Sequence, residues 1–237
     1  MELSIVLPSY NTENLANNVF EVGNEADKIT EDYEIIIVND GSIKNWKKEF
    51  EKIKGMNNKK IKIISYDVNR GKGYALKKGG IAAKGEKIIF LDSDLDIHPK
   101  QIRNYFNELE KEKIVIGSKR HPESKLVYPV TRKFMSAVYQ LINSILFSLE
   151  VKDTQVGIKG FDAETLKKIL PKLSVKRYAF DLELLVVANN EGYKIKEAPV
   201  EIEYQFGSTI NMKAVINMLW ETAAIFYRLK ILRHYDK

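Results

Sequence analysis

The residues best suited to chemistry are the carboxylates of the segment DSDLD, namely Asp92, Asp94 and Asp96. In an extended segment side chains alternate with a period of two, so this spacing predicts all three acids on one face. Crowded carboxylates repel one another, and a cation relieves the repulsion. Hard divalent ions such as Mg²⁺ or Mn²⁺ prefer oxygen ligands. The preceding run KIIFL reads as a buried strand, so the acids emerge from a rigid element. An EF-hand loop is excluded, because its sixth position would be Ile97 instead of glycine and its twelfth Arg103 instead of glutamate. The other reading is a surface turn with solvated acids.

Three further segments carry candidate ligand groups. NRGKGYALKKG, residues 69–79, places a glycine-rich turn ahead of a helix, where backbone amides favour phosphate. It is no dinucleotide fingerprint, since the third glycine falls on Leu76, and a Walker A loop is absent. NDGS follows the run EIIIV, and its Asp40 can accept hydrogen bonds from a base or ribose or simply close a capping turn. PSYN follows the first apolar run, and its Tyr10 can stack on a base or merely pack. The histidines, His98, His121 and His234, lack metal-ligand spacing and read as loop or surface residues. No G-x-S-x-G supports serine hydrolase chemistry.

These segments need elements to hold them. Strand-like runs fall at Leu3–Leu7, Glu34–Val38, Ile61–Ser65, Lys87–Leu91 and Ile114–Ile116, with helical patterns near 13–28, 44–54, 73–84 and 99–111. This alternation predicts βαβ units and a mostly parallel sheet with helices on both faces. Ligands of such sheets bind beyond the carboxyl ends of the strands, where all four polar segments lie. Farther on, an apolar helix is predicted over 131–149 and an extended stretch over 153–160. Helices follow near 162–170 and 181–191, then a strand over 199–205 and an aromatic-rich helix over 212–232 ending in basic residues. Residues 1–237 read as one domain with a C-terminal elaboration.

The composition narrows the classes. With 44% apolar residues in 237 there is material for a sizeable core. The absence of cysteine excludes disulfides and thiolate-bound metals and fits a reducing compartment. The N-terminus lacks the pattern of a signal peptide, and no run of apolar residues is long enough to predict a membrane-spanning helix. The net charge is +6, and residues 111–133 carry seven Lys/Arg against two Glu, a run that suits an anionic partner or a solvated face.

Taken in order, IVLPSYN, IIIVNDGS, NRGKGYALKKG, IIFLDSDLDIHP, VIGSKR, DTQVGIKGF and YAFDLELL resemble the family-2 glycosyltransferases of the GT-A fold. Within that family the chain looks closest to the dolichyl-phosphate glucose and mannose synthases, and to the glucosyltransferase branch in particular. The resemblance covers nearly the whole chain. It implies an α/β GT-A domain with a mostly parallel central sheet and C-terminal amphipathic helices. Residues 1–118 would form the half that binds nucleotide-sugar and metal, and 119–237 the acceptor half. It also implies that Pro8, Tyr10, Asn11, Glu13, Asp40, Lys72, Asp92, Ser93 and Asp94 bind the nucleotide-sugar. Asp92, Asp94 and Asp96 would hold Mg²⁺ or Mn²⁺. Lys119, Arg120, Arg132 and Ser136 would bind an acceptor phosphate. Asp153 and Asp94 would be the catalytic acids. The chain departs from the usual pattern where Thr12 stands in place of glutamate with Glu13 beside it, and where Asp96 replaces a glutamine common in the mannose synthases.

The implied reaction is inverting transfer of a hexose, glucose before mannose, from a UDP-sugar or GDP-sugar to a polyprenyl (dolichyl) phosphate. The resemblance and the C-terminal helix further imply a chain peripheral to the cytoplasmic face of a membrane, with no nucleic-acid partner. Alternatives are transfer to a saccharide hydroxyl, with Asp153 or Asp181 as base, and a non-catalytic nucleotide-sugar binding protein. A nucleotidyltransferase would need a glycine-rich, arginine-bearing loop that is missing after Leu7.

Overall fold

The computed structural model describes residues 1–126, 130–202 and 212–236, with the side chains of 130–138, 212 and 213 outside the described set. The first half alternates strands and helices: β1 (Leu3–Ser9), α1 (Leu15–Asp27), β2 (Tyr33–Asp40), α2 (Trp46–Gly55), β3 (Ile61–Tyr66), α3 (Lys72–Ala82), β4 (Lys87–Leu91), α4 (Ile102–Glu108) and β5 (Ile114–Ser118). The second half comprises β6 (Lys125–Leu126), α5 (Val130–Phe147), β7 (Ile158–Asp162), α6 (Ala163–Ile169), α7 (Phe180–Asn190), β8 (Lys196–Pro199), β9 (Glu201–Ile202) and α8 (Met212–Phe226).

A seven-stranded sheet runs in the order β3-β2-β1-β4-β7-β5-β8, and β6 and β9 form a separate pair. The strands β3, β2, β1 and β4 are parallel, as are β5 and β8. The mostly parallel α/β sheet expected from the sequence is present, with one departure. The segment expected to be extended over 153–160 forms its strand later, at Ile158–Asp162, and this strand inserts antiparallel between β4 and β5. The expected strand over 199–205 is split between β8 and β9, and its residues 203–205 lie outside the described residues. The last helix is α-helical only to Phe226 and continues as a π-helical turn over Tyr227–Ile231.

The apolar runs of the central strands feed two cores, one on each sheet face. Val6, Ile36, Val38, Ile88 and Phe90 pack with residues of α3, α6 and α7. Their neighbours Ile5, Leu7, Ile35, Ile37, Ile89 and Leu91 pack on the other face with residues of α1 and α4. A strand buried on both faces therefore reads as an unbroken apolar run, since the period of two merely alternates cores. Truncating one such residue, Ile36→Ala for example, would cost about 2–5 kcal/mol. Helix α3 lies close on the sheet because it is glycine-rich: a Cβ on Gly79 would come within 2.3 Å of the Val6 side chain. With both faces covered, the polar ends of β1, β2 and β4 meet at one edge of the sheet.

Candidate active site

A cleft of about 600 Å³ opens at the carboxyl ends of β1, β2 and β4. Pro8, Tyr10, Asp40, Lys72, Asp92, Ser93 and Asp94 line it, so seven of the nine residues expected to bind the nucleotide-sugar converge. Asn11 and Glu13 do not line it. Asn11 staples the neighbouring loop instead: its amide donates to Ser42 Oγ at 2.9 Å, and its Oδ1 accepts the Ile43 and Lys44 amides at 2.9 Å each. Its φ of 53° lies in the left-handed region that asparagine tolerates best among residues with a side chain. Glu13 is exposed, and Thr12 takes the place at the cleft wall.

The Asp40 carboxylate is buried and organises the glycine-rich turn. Oδ1 accepts the Arg70 amide at 2.7 Å, while Oδ2 accepts the Gly71 amide and the Asn69 side-chain amide at 2.8 Å each. Tyr74, in the first turn of α3, gives its amide to the Lys176 carbonyl at 3.0 Å. The amides of Arg70, Gly71 and Tyr74, expected as part of a phosphate cradle, are thus already engaged. Gly71 is required here, since its φ is +102° and an added Cβ would meet the Lys176 carbonyl at 2.5 Å. Asn69 and Gly71 of the turn line the cleft, and Lys72 brings its side chain and charge into it.

The acids of DSDLD do not share one extended face. The chain turns over 92–96, where Leu95 takes a φ of 57° and its amide returns to the Asp92 carbonyl at 3.3 Å. Asp92 and Asp94 face the main cleft, whereas Asp96 lines an adjoining cavity together with Asp92 and Lys119. A relay of hydroxyls fixes the turn against β1. Ser93 Oγ donates to the Pro8 carbonyl at 2.7 Å, which leaves Thr12 Oγ1, 2.9 Å away, to donate to Ser93. Ser9 Oγ donates in turn to Thr12 at 3.1 Å. Burial, with Asp92 and Asp96 nearby, raises the Asp94 carboxyl to about 6, against smaller opposition from the Asp96 amide and Lys72. Such a site is over-supplied with negative charge, and a cation fits it. Among the described residues no three acidic, histidine or cysteine side chains form a ready-made cage. A hard ion bound through one or two carboxylates and completed by substrate phosphates needs none.

Below the carboxylates runs a row of alternating charges. Lys72 Nζ lies 2.6 Å from Asp92 Oδ1, and Lys159 Nζ lies 2.9 Å from Asp181 Oδ1. Burial works against the charged form of Lys72, but Asp92 and Asp181 outweigh it and hold the ammonium above its usual range. Burial likewise penalises an ionised Asp181, and Lys159 and Lys72 reverse this, so Asp181 is held below the usual carboxylate range. Asp181, weighed from sequence as a helix cap, is not one. Ala179 occupies the cap of α7, and the Asp181 carboxylate turns inward to the cleft floor.

Asp153 is buried beside the adjoining cavity. Its Oδ2 accepts the Lys119 amide at 3.1 Å and faces Lys119 Nζ at 3.5 Å, while Oδ1 accepts the Gln155 amide at 3.1 Å. Arg120 is exposed and is not among the residues lining either cavity. The side chains of Arg132 and Ser136, on α5, lie outside the described residues. Sequence reading missed Asn69, Gln155, Arg177 and Tyr178, which also line the main cleft. Gln155 lay inside a quoted motif. Asn69 and Tyr178 likewise open the quoted NRGKGYALKKG and YAFDLELL, and Arg177, just before the latter, carried no signal beyond that place.

Solved structures with this fold bind nucleotides. Glucosyl-3-phosphoglycerate synthase from Mycobacterium tuberculosis, in complex with Mn²⁺, UDP and phosphoglyceric acid, superposes with a TM-score of 0.71 at 18% identity, over 95% of this chain and 77% of that one. The same enzyme with Mg²⁺ and UDP gives 0.67 at 17%, over 95% and 78%. These likenesses establish the GT-A fold. Among curated proteins, the dolichyl-phosphate beta-glucosyltransferase ALG5A of Trichomonas vaginalis is 32% identical over 96% of this chain and 74% of its own length. The dolichyl-phosphate beta-glucosyltransferase of Dictyostelium discoideum is 30% identical over 95% and 74%. The profile of glycosyl transferase family 2 matches residues 4–170, a span that holds every strand end of the cleft, and the chain belongs to that family.

Proposed function

We propose that this chain is an inverting, metal-dependent hexosyltransferase that moves glucose from UDP-glucose to a polyprenyl phosphate of the dolichyl type. The observation that carries the reading is the cleft itself, where Asp92 and Asp94 stand against Lys72 at the ends of β1, β2 and β4. The named relatives act on dolichyl phosphate with glucose, and the fold neighbours were crystallised with UDP and Mn²⁺ or Mg²⁺.

In this reading residues 1–118 form the donor half. Pro8, Tyr10 and Asp40 surround the nucleoside, with Asn11 acting through the loop it staples. Lys72 and Ser93 border the diphosphate. Asp92 and Asp94 hold Mg²⁺ or Mn²⁺, with Asp96 adding negative charge from the adjoining cavity. A bound divalent ion would neutralise charge on the departing diphosphate. Residues 119–237 form the acceptor half. Lys119, and with it Arg120, Arg132 and Ser136, receives the acceptor phosphate, and Asp153 holds Lys119 in place. With a second pKa of roughly 6 the acceptor phosphate is largely a dianion at neutral pH, so no strong base is needed. That agrees with an Asp181 held ionised by two lysines, a poor base for a saccharide hydroxyl. Positioning and charge complementarity then supply the catalysis.

Among the described residues no helix is long and apolar enough to cross a membrane. Helix α8 nevertheless exposes Ile216, Leu219 and Trp220, which supports peripheral attachment to a membrane, on its cytoplasmic face in our reading. The test is an assay of UDP-glucose and GDP-mannose against dolichyl phosphate and against free saccharides, with Mn²⁺ or Mg²⁺ and with excess EDTA. Glucolipid formed from UDP-glucose and lost in EDTA is the expected result. Preferred use of GDP-mannose, a saccharide product, or binding of donor without turnover would each replace the reading by a named alternative.

A further inference from the structure

A second cavity, of about 560 Å³, lies behind the donor cleft and shares Arg177 with it. Its walls carry Arg70, Lys176, Arg177 and Arg228, with Trp220 at the rim. Among the described residues Arg70, Lys176 and Arg177 form no ion pair. The Arg70 guanidinium reaches the Tyr74 hydroxyl, at 3.0 Å, and the faces of the Tyr74 and Tyr66 rings. The acids that face the cavity are committed elsewhere. Glu221 accepts the Ala179 amide at 2.8 Å. Glu183, behind Arg228, accepts the Ser174 and Val175 amides and the Tyr235 hydroxyl and also pairs with Arg228 at 3.5 Å. Three cations without an ion pair, together with Arg228, thus line a cavity whose one lining carboxylate is Glu221, an arrangement whose mutual repulsion an anion relieves.

The position of the cavity on α8 identifies the anion. One stripe of this helix, Thr222 and Ile225, is buried in the core. The opposite stripe is apolar and open to solvent, with Ile216 and Trp220 one turn apart and Trp220 78% exposed. Glu221 and Ala224 lie on the flank between the two stripes, and with Arg228, in the π-helical turn that follows, they form the cavity wall. In a helix lying in a membrane surface, the apolar stripe enters the acyl region and the flank lies at the level of the headgroups.

We infer that this cavity is a headgroup site for an anionic phospholipid, which seats the enzyme on the bilayer beside its donor cleft. The inference rests on the membrane reading above and adds to it a defined pocket and its ligand chemistry. A lipid phosphate enters between Arg70, Lys176 and Arg228, and the Trp220 indole lies at the interface. Arg177, common to both cavities, borders the bound lipid and the donor alike.

The test uses the full chain with Trp46→Phe, which leaves Trp220 as the sole tryptophan, and vesicles of phosphatidylcholine with or without phosphatidic acid. Expected are flotation with the anionic vesicles and a blue shift of Trp220 emission. Lys176→Glu and Arg70→Gln should each weaken partitioning about fivefold or more (about 1 kcal/mol per cation). Lys47→Glu, an equal charge reversal on α2, should weaken it far less, and all variants should melt alike. Wild-type protein that binds no vesicle overturns the membrane reading and the site together. Vesicle binding hurt equally by Lys47→Glu and Lys176→Glu keeps the membrane and removes the site. Saturation of the Trp220 response by inorganic phosphate at the same phosphate concentration would make this a free-phosphate site and overturn the lipid assignment.

Discussion

Gly157 and Asp92 are packed so closely that a side chain on one would displace the other. The Asp92 amide donates to the Gly157 carbonyl at 3.1 Å, and a Cβ on Gly157 would lie 2.4 Å from Asp92 Oδ2. The strand that follows Gly157 is β7, inserted beside β4, so the antiparallel pairing is what brings glycine under the carboxylate. Gly157→Ala is expected to leave the fold intact, because the clash can be relieved by rotating Asp92. It should lower kcat/KM for the donor by roughly a hundredfold, the scale of an ångström misplacement in a reacting array. Steady-state kinetics together with a melting curve check this. Unchanged kinetics would show that the Asp92 carboxylate need not stand where it does.

Lys72 and Asp92 make a second checkable pair. With Nζ 2.6 Å from the carboxylate, the ammonium occupies the neighbourhood that a divalent ion would claim. Lys72→Met should therefore tighten binding of Mn²⁺ in the absence of donor, while turnover falls for want of a cation at the diphosphate. Mn²⁺ titration followed by electron paramagnetic resonance separates the two effects. Weaker metal binding in the variant would mean that Lys72 supports the ion instead of competing with it.

Lys159 and Asp181 are both buried, at 3% and 9% side-chain exposure, and Lys159 also donates to the Val156 carbonyl at 2.6 Å. Removing one partner leaves an uncompensated charge in the cleft floor. Asp181→Ala should cost about 3–5 kcal/mol, and Lys159→Met combined with Asp181→Leu should recover much of that. Urea denaturation of the two variants decides it. An Asp181→Ala protein as stable as the wild type, yet inactive, would argue instead for a direct role of this carboxylate in the reaction.

The pH dependence of stability has a contributor far from the cleft. Glu34, buried in β2, accepts the Ser4 hydroxyl and the Lys84 amide at 2.7 Å each and pairs with Lys62. Burial raises its pKa, but these three partners outweigh it and hold Glu34 below its ordinary 4.5. A folded value below the unfolded one gives stability that is present above about 4.5 and lost as pH falls through the folded value. Glu34→Gln should therefore cost about 2 kcal/mol at pH 7, a drop in Tm of roughly 4–8 °C. Below pH 4 the gap between variant and wild type should shrink. A gap that is constant with pH would assign the loss to packing and not to charge.

What could be read in the sequence follows physical lines. Residues such as Ile35–Val38 announce a doubly covered strand by themselves, because burial on both faces removes the polar alternation. The gathering of Pro8, Asp40, Lys72 and Asp92 at one edge followed from βα order alone. The insertion of β7 between β4 and β5 did not, since strand partnership is a tertiary property that no local period encodes. DSDLD misled for a related reason. Period-two reasoning assumes extended backbone, and Leu95 at φ 57° breaks it. Asn11 and Asp40 carried the right chemistry but spend it largely on backbone amides of neighbouring loops. The pairing of Lys159 with Asp181 joins β7 to α7 and had no signal in the chain at all.

The acceptor side offers the last prediction. Lys119, at the end of β5, is bound twice to Asp153: its amide donates at 3.1 Å, and its ammonium faces the same oxygen at 3.5 Å. Lys119 shares its cavity with Asp92 and Asp96, so in the proposed reaction this cation stands where an incoming dianion would pass those carboxylates. Without it that approach is repulsive. Lys119→Ala is expected to raise the KM for polyprenyl phosphate about tenfold or more, with donor binding nearly unchanged. Asp153→Asn keeps the shape but loses the charge that orients the ammonium, so it should move the same KM by a smaller factor. Because Asp153 acts through Lys119, the double variant should be no worse than Lys119→Ala alone, a non-additivity that a double-mutant cycle measures. Losses that simply add, or a fall in donor affinity with acceptor kinetics intact, would mean that the two residues serve different steps and that Lys119 belongs to the donor diphosphate.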